Sequence, residues 1–308
     1  MDIRNLKSTA SERISAASYP PRRLALIHTG AAVILSLLLT IINYLLAGGM
    51  ENTGGLAGIG TRSLLATAQT VLLMAGSVAL PFWDFGFYRT TLNIARQQDA
   101  TPATLLTGFR RFGAALRLLL LRALMTIGVS LACVEAATTI FMLTPLSNGF
   151  WEQAETIIKA GTEVTPEVVQ SLMPFLTPVY ILSGILACVI LIPLLYRFRL
   201  ADVCIMDDDA TGALAAMKKS NRLLRGKKLA MFKLDLSFWW YYGLLLAATA
   251  LSYGDTLLPL LGIPTSDMTT LLFAAISGAV QLLIAWRFAA FVHTTTATAY
   301  TTVQEIEN

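Results

Sequence analysis

The chain has 308 residues, of which 55% are hydrophobic and only 14% are charged, and its mean hydropathy is +0.64. A soluble domain carries about 25% charged residues, so this composition excludes an ordinary soluble protein and favours long apolar helices in a membrane. The net charge of +4 does not indicate nucleic-acid binding, because the basic residues flank apolar segments, where membrane orientation and anionic lipid explain them.

The segment 1–23 comes before the first long apolar run and has an amphipathic helical pattern. Ile3, Leu6, Ala10 and Ile14 recur at helical spacing. This pattern favours a short helix on the cytoplasmic surface of the membrane, with a frayed tail as the alternative. The apolar run that follows is longer than the roughly 7–15 residues of a signal-peptide core, so we expect it to be retained as the first span.

Six apolar segments follow, and each approaches or exceeds the ~20 residues that cross a bilayer as a helix. They cover about residues 24–47, 64–82, 112–143, 175–196, 234–252 and 269–292. The second can continue as a helix toward Ala95. The sequence therefore predicts an all-α, polytopic helical membrane protein, with its transmembrane domain over residues 24–292 and a short polar tail over residues 293–308.

The distribution of basic residues predicts the orientation of these spans. Of the 23 Lys and Arg residues, all except Arg62 and Lys159 fall on the side of the N-terminus when six spans alternate across the membrane. Cytoplasmic connections carry the excess of basic residues, so both termini are expected in the cytoplasm. The acidic connection at about residues 145–175 is then expected outside.

The longest basic connection, residues 197–233, is the most structured polar part of the sequence; we call it the basic segment. It predicts a helix over residues 212–225, capped by Asp209 or Thr211 and ended by Gly226. The segment can be a surface helix that joins two spans, or a platform for lipid phosphates or an acidic protein. Its candidate binding residues are Lys218, Lys219, Arg222, Arg225, Lys227 and Lys228.

No pattern indicates a metal, a cofactor or a catalytic group. Three consecutive carboxylates, Asp207 to Asp209, precede the predicted helix, but three neighbours on a helix cannot all face one ion. His28 and His293 each stand alone near a membrane edge, and no base is identified for a serine or cysteine nucleophile. We therefore expect neither a metal site nor a cofactor. A membrane enzyme that uses Asp207 to Asp209 is the third functional alternative, after a binding module and a transporter.

Three charged residues lie in or near the apolar segments: Glu135, Asp84 and Arg287. A carboxylate in hydrocarbon is costly and usually functional, so Glu135 indicates either an interfacial or structural pair, or a polar cavity or proton site. Asp84 and Arg287 lie nearer the cytoplasmic edge, where snorkelling or mutual pairing is expected. These residues support an alternative function, a transporter or lipid-handling permease.

Two stretches of the sequence resemble a known family. The first runs from Gly86-Phe87-Tyr88 to Leu105-Leu106-Thr107-Gly108-Phe109-Arg110-Arg111-Phe112, and the second covers residues 196–238. With residues 3–7 they resemble the bacterial integral-membrane family called domain of unknown function 975, which is distantly similar to the membrane portion of some glycerophosphodiester phosphodiesterases. The acidic connection and Pro193, where a Pro-Gly turn is expected, depart from that pattern.

The resemblance implies a six-span protein of the bacterial inner membrane, and it brings no catalytic residues to this chain. Together with the basic segment it leads to one functional prediction. We expect a non-enzymatic membrane module that binds anionic lipid head groups, a partner protein or a second copy of the chain. Nucleic acid is not expected as a partner.

Overall fold

The computed structural model describes residues 2–51, 58–159, 166–254, 258 and 267–307, and these ranges contain helices and turns with no strand. The chain is therefore all-α, as predicted. The helices are, in chain order, α1 (Ile3–Ser15), α2 (Pro21–Glu51), α3 (Gly58–Ala95), α4 (Thr107–Arg110), α5 (Phe112–Met142), α6 (Leu146–Lys159), α7 (Pro166–Arg197), α8 (Ala201–Asp207), α9 (Ala213–Leu223), α10 (Lys228–Leu236), α11 (Trp239–Ser252), α12 (Asp267–Ile284) and α13 (Ala290–Glu307). A 3₁₀ helix, Pro102–Leu106, precedes α4, and a π-helical turn, Ala285–Ala289, joins α12 to α13.

Within these ranges, five segments are long and apolar enough to cross a membrane. They are Pro21–Ile42, Ser63–Ala95, Phe112–Met142, Ser171–Asp207 and Met268–Ile306. Large apolar side chains on them face outward, including Leu64, Leu124 and Val189, each at least two-thirds exposed. Exposed apolar surface on this scale is stable only against lipid, so the chain is a polytopic helical membrane protein.

The fifth predicted span, residues 234–252, is interrupted in the structure. Helix α10 ends at Leu236, and α11 begins again at Trp239 and has 14 residues. At 1.5 Å per residue, α11 covers roughly 21 Å, less than the ~30 Å of a bilayer core. The six-span count and the cytoplasmic ends therefore stay predictions.

The helices form two compact units, residues 1–115 with 200–308 and residues 116–199. In the second unit α5, α6 and α7 pack through Ala137, Phe141 and Val179, with Phe150 against them. Helix α7 continues through Pro193, where the family pattern had suggested a turn. The acidic connection contains α6, and its residues 160–165 lie outside the described ranges.

In the first unit, helix α3 continues beyond its apolar segment and packs with α1, α4, α8 and α13, while α9 packs against α8 and α13. We call this group of helices the packed layer. Helix α3 has 38 residues and a length of roughly 57 Å, so it exceeds the bilayer core. The part of α3 before Phe82 is mostly exposed, whereas from Phe82 onward most side chains are buried. The predicted extension of this helix to Ala95 is confirmed; the chain then turns at Gln97, which has a φ of +57°.

Both chain ends belong to this packed layer. Helix α1 is capped by Asp2, and its buried residues Leu6 and Ala10 pack in the layer, so the N-terminal pattern forms the predicted amphipathic helix. The polar tail predicted after residue 292 is part of α13, which packs against α1 and α3. Tyr300 and Val303 of α13 are almost completely buried.

Two glycines hold the 102–110 segment close to α3. A Cβ atom on Gly86 would overlap the carbonyl oxygen of Leu105, and a Cβ atom on Gly108 would overlap that of Phe82. No other residue type permits backbones to approach this closely. The two glycines therefore fix where α4 and the arginines that follow it, Arg110 and Arg111, lie on the first unit.

Candidate functional site

The basic segment is three short helices, α8, α9 and α10, rather than one. The predicted helix over residues 212–225 is observed as α9, and Gly226 has a φ of +73°, the left-handed conformation expected of a glycine at a helix end. The predicted caps were wrong. Gly212 occupies the N-cap, and no side chain caps the helix. The hydroxyl of Thr211 donates to Asp208 (2.8 Å), which also accepts from the backbone N–H of Ala210 (2.9 Å).

The three consecutive aspartates point to three different environments. Asp207 is buried, with 7% of its side chain exposed, whereas Asp209 is 91% exposed. Asp208 forms the local turn described above, and the Ala210 N–H and Thr211 hydroxyl hold the pKa of Asp208 below its usual value. No group of three carboxylate, histidine or cysteine ligands converges on one point among the described residues.

Asp207 joins four helices of the packed layer. Its carboxylate accepts hydrogen bonds from Arg96 after α3, from the hydroxyl of Tyr300 on α13 (2.7 Å) and from Lys219 on α9 (3.5 Å). Gln304 links Arg96 to the same carboxylate. A buried charge is tolerated only when it is paired and hydrogen-bonded, and here the pairing ties α8 to α3, α9 and α13.

Two arginines bind the backbone that follows α8. The Nη1 atom of Arg89 donates to the carbonyls of Met206 (2.5 Å) and Asp207 (3.0 Å). Arg111 donates to the carbonyl of Ile205 and to three carbonyls of the turn, among them Asp208 (2.7 Å). Helix C-termini leave carbonyls without intrahelical partners, and these guanidinium groups satisfy them.

The six predicted binding cations divide into two sets. Lys219 is turned inward: its side chain is 24% exposed, pairs with Asp207 and lies over the Tyr300 ring at 5.8 Å. Lys218, Arg222 and Arg225 are exposed, and Lys227 and Lys228 are half-buried. The adjacent residues Lys218 and Lys219 thus face different surroundings, because successive side chains on a helix point about 100° apart.

Two of the exposed cations, Lys218 and Arg222, line an open pocket together with Lys219. Thr211, Ala215, Lys218, Lys219 and Arg222 line it, and its volume is about 340 Å³. Lys218 and Arg222 are one turn apart on α9, so their charges are neighbours on one surface. We call Lys218, Arg222 and Arg225 the α9 face.

Exposed apolar side chains accompany these cations. Leu214 lies one turn before Lys218 on α9 and is 62% exposed. On α10, three apolar residues at helical spacing are exposed, and Trp239 at the start of α11 continues the row; the three are Leu229, Phe232 and Leu236. Cations and exposed apolar side chains within one segment are typical of helices that lie in a membrane interface.

The three charges predicted in or near the apolar segments have different surroundings. Glu135 is exposed on α5 between exposed neighbours such as Leu131. Asp84 accepts from the ring of His28 (3.0 Å), and not from Arg287 as one alternative had suggested, while Arg287 is exposed and lies 5.5 Å from the Phe288 ring centre. A shared cavity for these residues stays a prediction.

Sequence reasoning missed the residues that organise the site. Arg89, Arg96, Arg111 and Tyr300 hold the Asp207 turn, although each lies more than 90 positions from it along the chain. Local patterns carry no signal for hydrogen bonds at that separation. Arg89, Arg96 and Arg111 lie within the first stretch that resembles the family, but the resemblance assigned them no role.

The family model described as protein of unknown function (DUF975) matches residues 3–305. The chain belongs to this family, and the resemblance of its sequence is confirmed. No curated protein and no solved structure matches the chain.

Proposed function

We propose that this member of the DUF975 family is a membrane module that binds the phosphate groups of anionic lipids through the α9 face. The observation that carries the proposal is the division of the cations. Asp207 neutralises Lys219, whereas Lys218 and Arg222 stand exposed on an open pocket. Cations exposed at a membrane surface attract anionic lipid, at about 1 kcal/mol per Lys or Arg.

The exposed apolar residues favour a lipid over a soluble ligand. Leu214 on α9, and Leu229 and Phe232 on α10, would each lose water contact if they rested against acyl chains. Burying such side chains is worth about 1.5–3 kcal/mol each. The combination of apolar and basic groups therefore suits a membrane interface better than an aqueous anion.

We infer that this surface faces the cytoplasm of a bacterium and that the protein resides in the inner membrane with six spans and both ends inside. The support is the excess of Lys and Arg on one side of the apolar segments. The cytoplasmic leaflet carries the anionic lipid that such a surface would bind.

The test compares lipid retention by the full chain and by a double variant. The protein is released from nanodiscs of phosphatidylcholine and phosphatidylglycerol into a native mass spectrometer, and retained phosphatidylglycerol is counted. Lys218→Gln with Arg222→Gln removes about 2 kcal/mol of lipid-binding free energy. The affinity for phosphatidylglycerol should therefore fall roughly thirtyfold, and less lipid should be retained. The control, Lys218→Arg with Arg222→Lys, keeps both charges and should retain lipid.

Unchanged retention in the double glutamine variant would contradict the proposal. Retention that is unchanged while a co-purifying protein or a second copy of the chain is lost would assign the α9 face to a protein partner instead. A fall in retention equal to that of Arg4→Gln, an exposed arginine on α1, would show a general charge effect and would also contradict it.

A further inference from the structure

A second basic pocket lies on the first unit, apart from the residues that line the α9 pocket. It has a volume of about 360 Å³ and is lined by Arg89, Thr107, Arg110, Arg111, Met206 and Asp209. Three guanidinium groups meet a single carboxylate there, and the Asp209 side chain is 91% exposed to solvent, which screens it. We call Arg89, Arg110 and Arg111 the arginine pocket.

Two of these arginines are fixed before any ligand arrives. Arg89 and Arg111 are held by backbone carbonyls of the turn that follows α8. Carbonyl partners orient a guanidinium group without cancelling its charge. Arg111 also pairs with Asp209 (Nε to Oδ1, 3.8 Å), but that carboxylate is 91% exposed and solvent screens the pair. The buried carboxylate of Asp207 is occupied by Arg96, Tyr300 and Lys219. The pocket is therefore a preorganised positive site, and preorganisation lowers the entropy cost of binding.

Arg110 is the third member and is exposed to solvent. Gly108 sets its position, because this glycine permits α4 to lie directly against α3. A guanidinium group on a surface beside two fixed ones can close on a phosphate with two parallel hydrogen bonds. Arg110 can therefore contribute to binding without contributing to the fold.

Close to Arg110 and Arg111 in the chain lie three exposed apolar residues, which we call the apolar rim. Leu106, Phe109 and Phe112 are 52%, 42% and 47% exposed. Phe112 stacks on the buried Phe82 ring at 4.4 Å, and Phe109 lies 6.3 Å from Trp83, so the rim joins α3 at the point where its exposed apolar half ends. Inorganic phosphate cannot bury these apolar side chains, whereas the acyl chains of a phospholipid can.

We propose that the arginine pocket binds the phosphate of an anionic phospholipid, with the lipid chains against Leu106, Phe109 and Phe112. This site goes beyond the α9 face and shares no lining residue with its pocket. The two sites are tested separately by keeping the Lys218→Gln and Arg222→Gln changes in every protein of the experiment.

The experiment titrates the full chain in detergent with dioctanoyl phosphatidylglycerol and follows binding by native mass spectrometry. Arg110→Gln should weaken binding at least about fivefold, as expected for loss of a hydrogen bond to a charged group. Arg110→Lys should lose less because it keeps the charge but not the bidentate geometry. Arg4→Gln is the control and should bind as before. Leu106→Ser should weaken the binding of the lipid and leave the binding of inorganic phosphate unchanged.

Three results would overturn the proposal. The first is unchanged lipid affinity in Arg110→Gln. The second is inorganic phosphate that binds as tightly as the lipid, since that would assign the pocket to a free anion. The third is equal affinity for dioctanoyl phosphatidylcholine, whose head group carries no net charge. Because Arg110 is exposed, an unchanged melting temperature is expected for its variants, and this separates lost binding from lost fold.

Discussion

At the scale of single residues, the central feature is the different use of neighbouring charges. Asp207 is buried among cations while Asp209 is exposed, and Lys219 points toward Asp207 while Lys218 faces outward. In each pair the inward residue stabilises the packed layer and the outward one lies at the surface. Residue type alone does not separate these roles; burial and hydrogen-bond partners do.

Replacing Asp207 by asparagine should destabilise the protein strongly. The change leaves Arg96 and Lys219 without their buried counter-charge, and breaking a buried ion pair costs about 3–5 kcal/mol. Thermal unfolding in detergent measures the effect. Asp209→Asn is the matched control and should change the free energy of unfolding by less than about 0.5 kcal/mol, because its carboxylate is solvated. Equal effects of the two changes would contradict the role given to Asp207.

At the scale of helices, sequence patterns predicted the segments that follow one period and missed those held by distant contacts. Helix α9 with its terminal glycine, and the extension of α3 to Ala95, followed from capping and periodicity. The break between α10 and α11 did not, because neither Ser237 nor Phe238 is a proline or glycine that would mark a helix end. Phe238 is buried against Phe291 and Lys7, contacts that local sequence does not encode.

The close approach of α4 to α3 gives a prediction at this scale. Gly86→Ala should prevent the approach, since its Cβ would overlap a backbone atom of Leu105 that has no room to move. We expect a loss of more than about 3 kcal/mol in unfolding free energy, typical of overpacking against backbone. Gly113→Ala, where a Cβ meets nothing within 4 Å, should be neutral or stabilising. Comparable melting temperatures for both variants would contradict this packing.

At the scale of the whole molecule, composition and hydropathy were enough to predict a polytopic helical membrane protein. The packed layer was not predicted, because α13 had been assigned to a polar tail. Its threonines are buried: Thr294, Thr295 and Thr298 are at most 1% exposed. A threonine-rich stretch looks like a solvated tail, yet threonine hydroxyls can be buried when they donate to the helix backbone, as Thr295 does.

The predicted orientation is tested with single cysteines and a maleimide that does not cross membranes. Lys159→Cys, in the acidic connection, should react in intact cells, and Lys218→Cys should react only after the membrane is opened. The unchanged protein controls for its own cysteines, of which Cys188 is exposed. Labelling of both positions from the same side would contradict the six-span arrangement with cytoplasmic ends.

The most direct test of the account compares Lys218→Gln with Lys219→Gln for two properties, retained phosphatidylglycerol in native mass spectrometry and melting temperature. Lys218→Gln should lower lipid affinity about fivefold, from the loss of roughly 1 kcal/mol, and leave the melting temperature unchanged. Lys219→Gln should lower the melting temperature, because it removes a partner of Asp207, and affect lipid less. Equal lipid retention in Lys218→Gln and the unchanged protein would contradict the claim that the α9 face binds lipid.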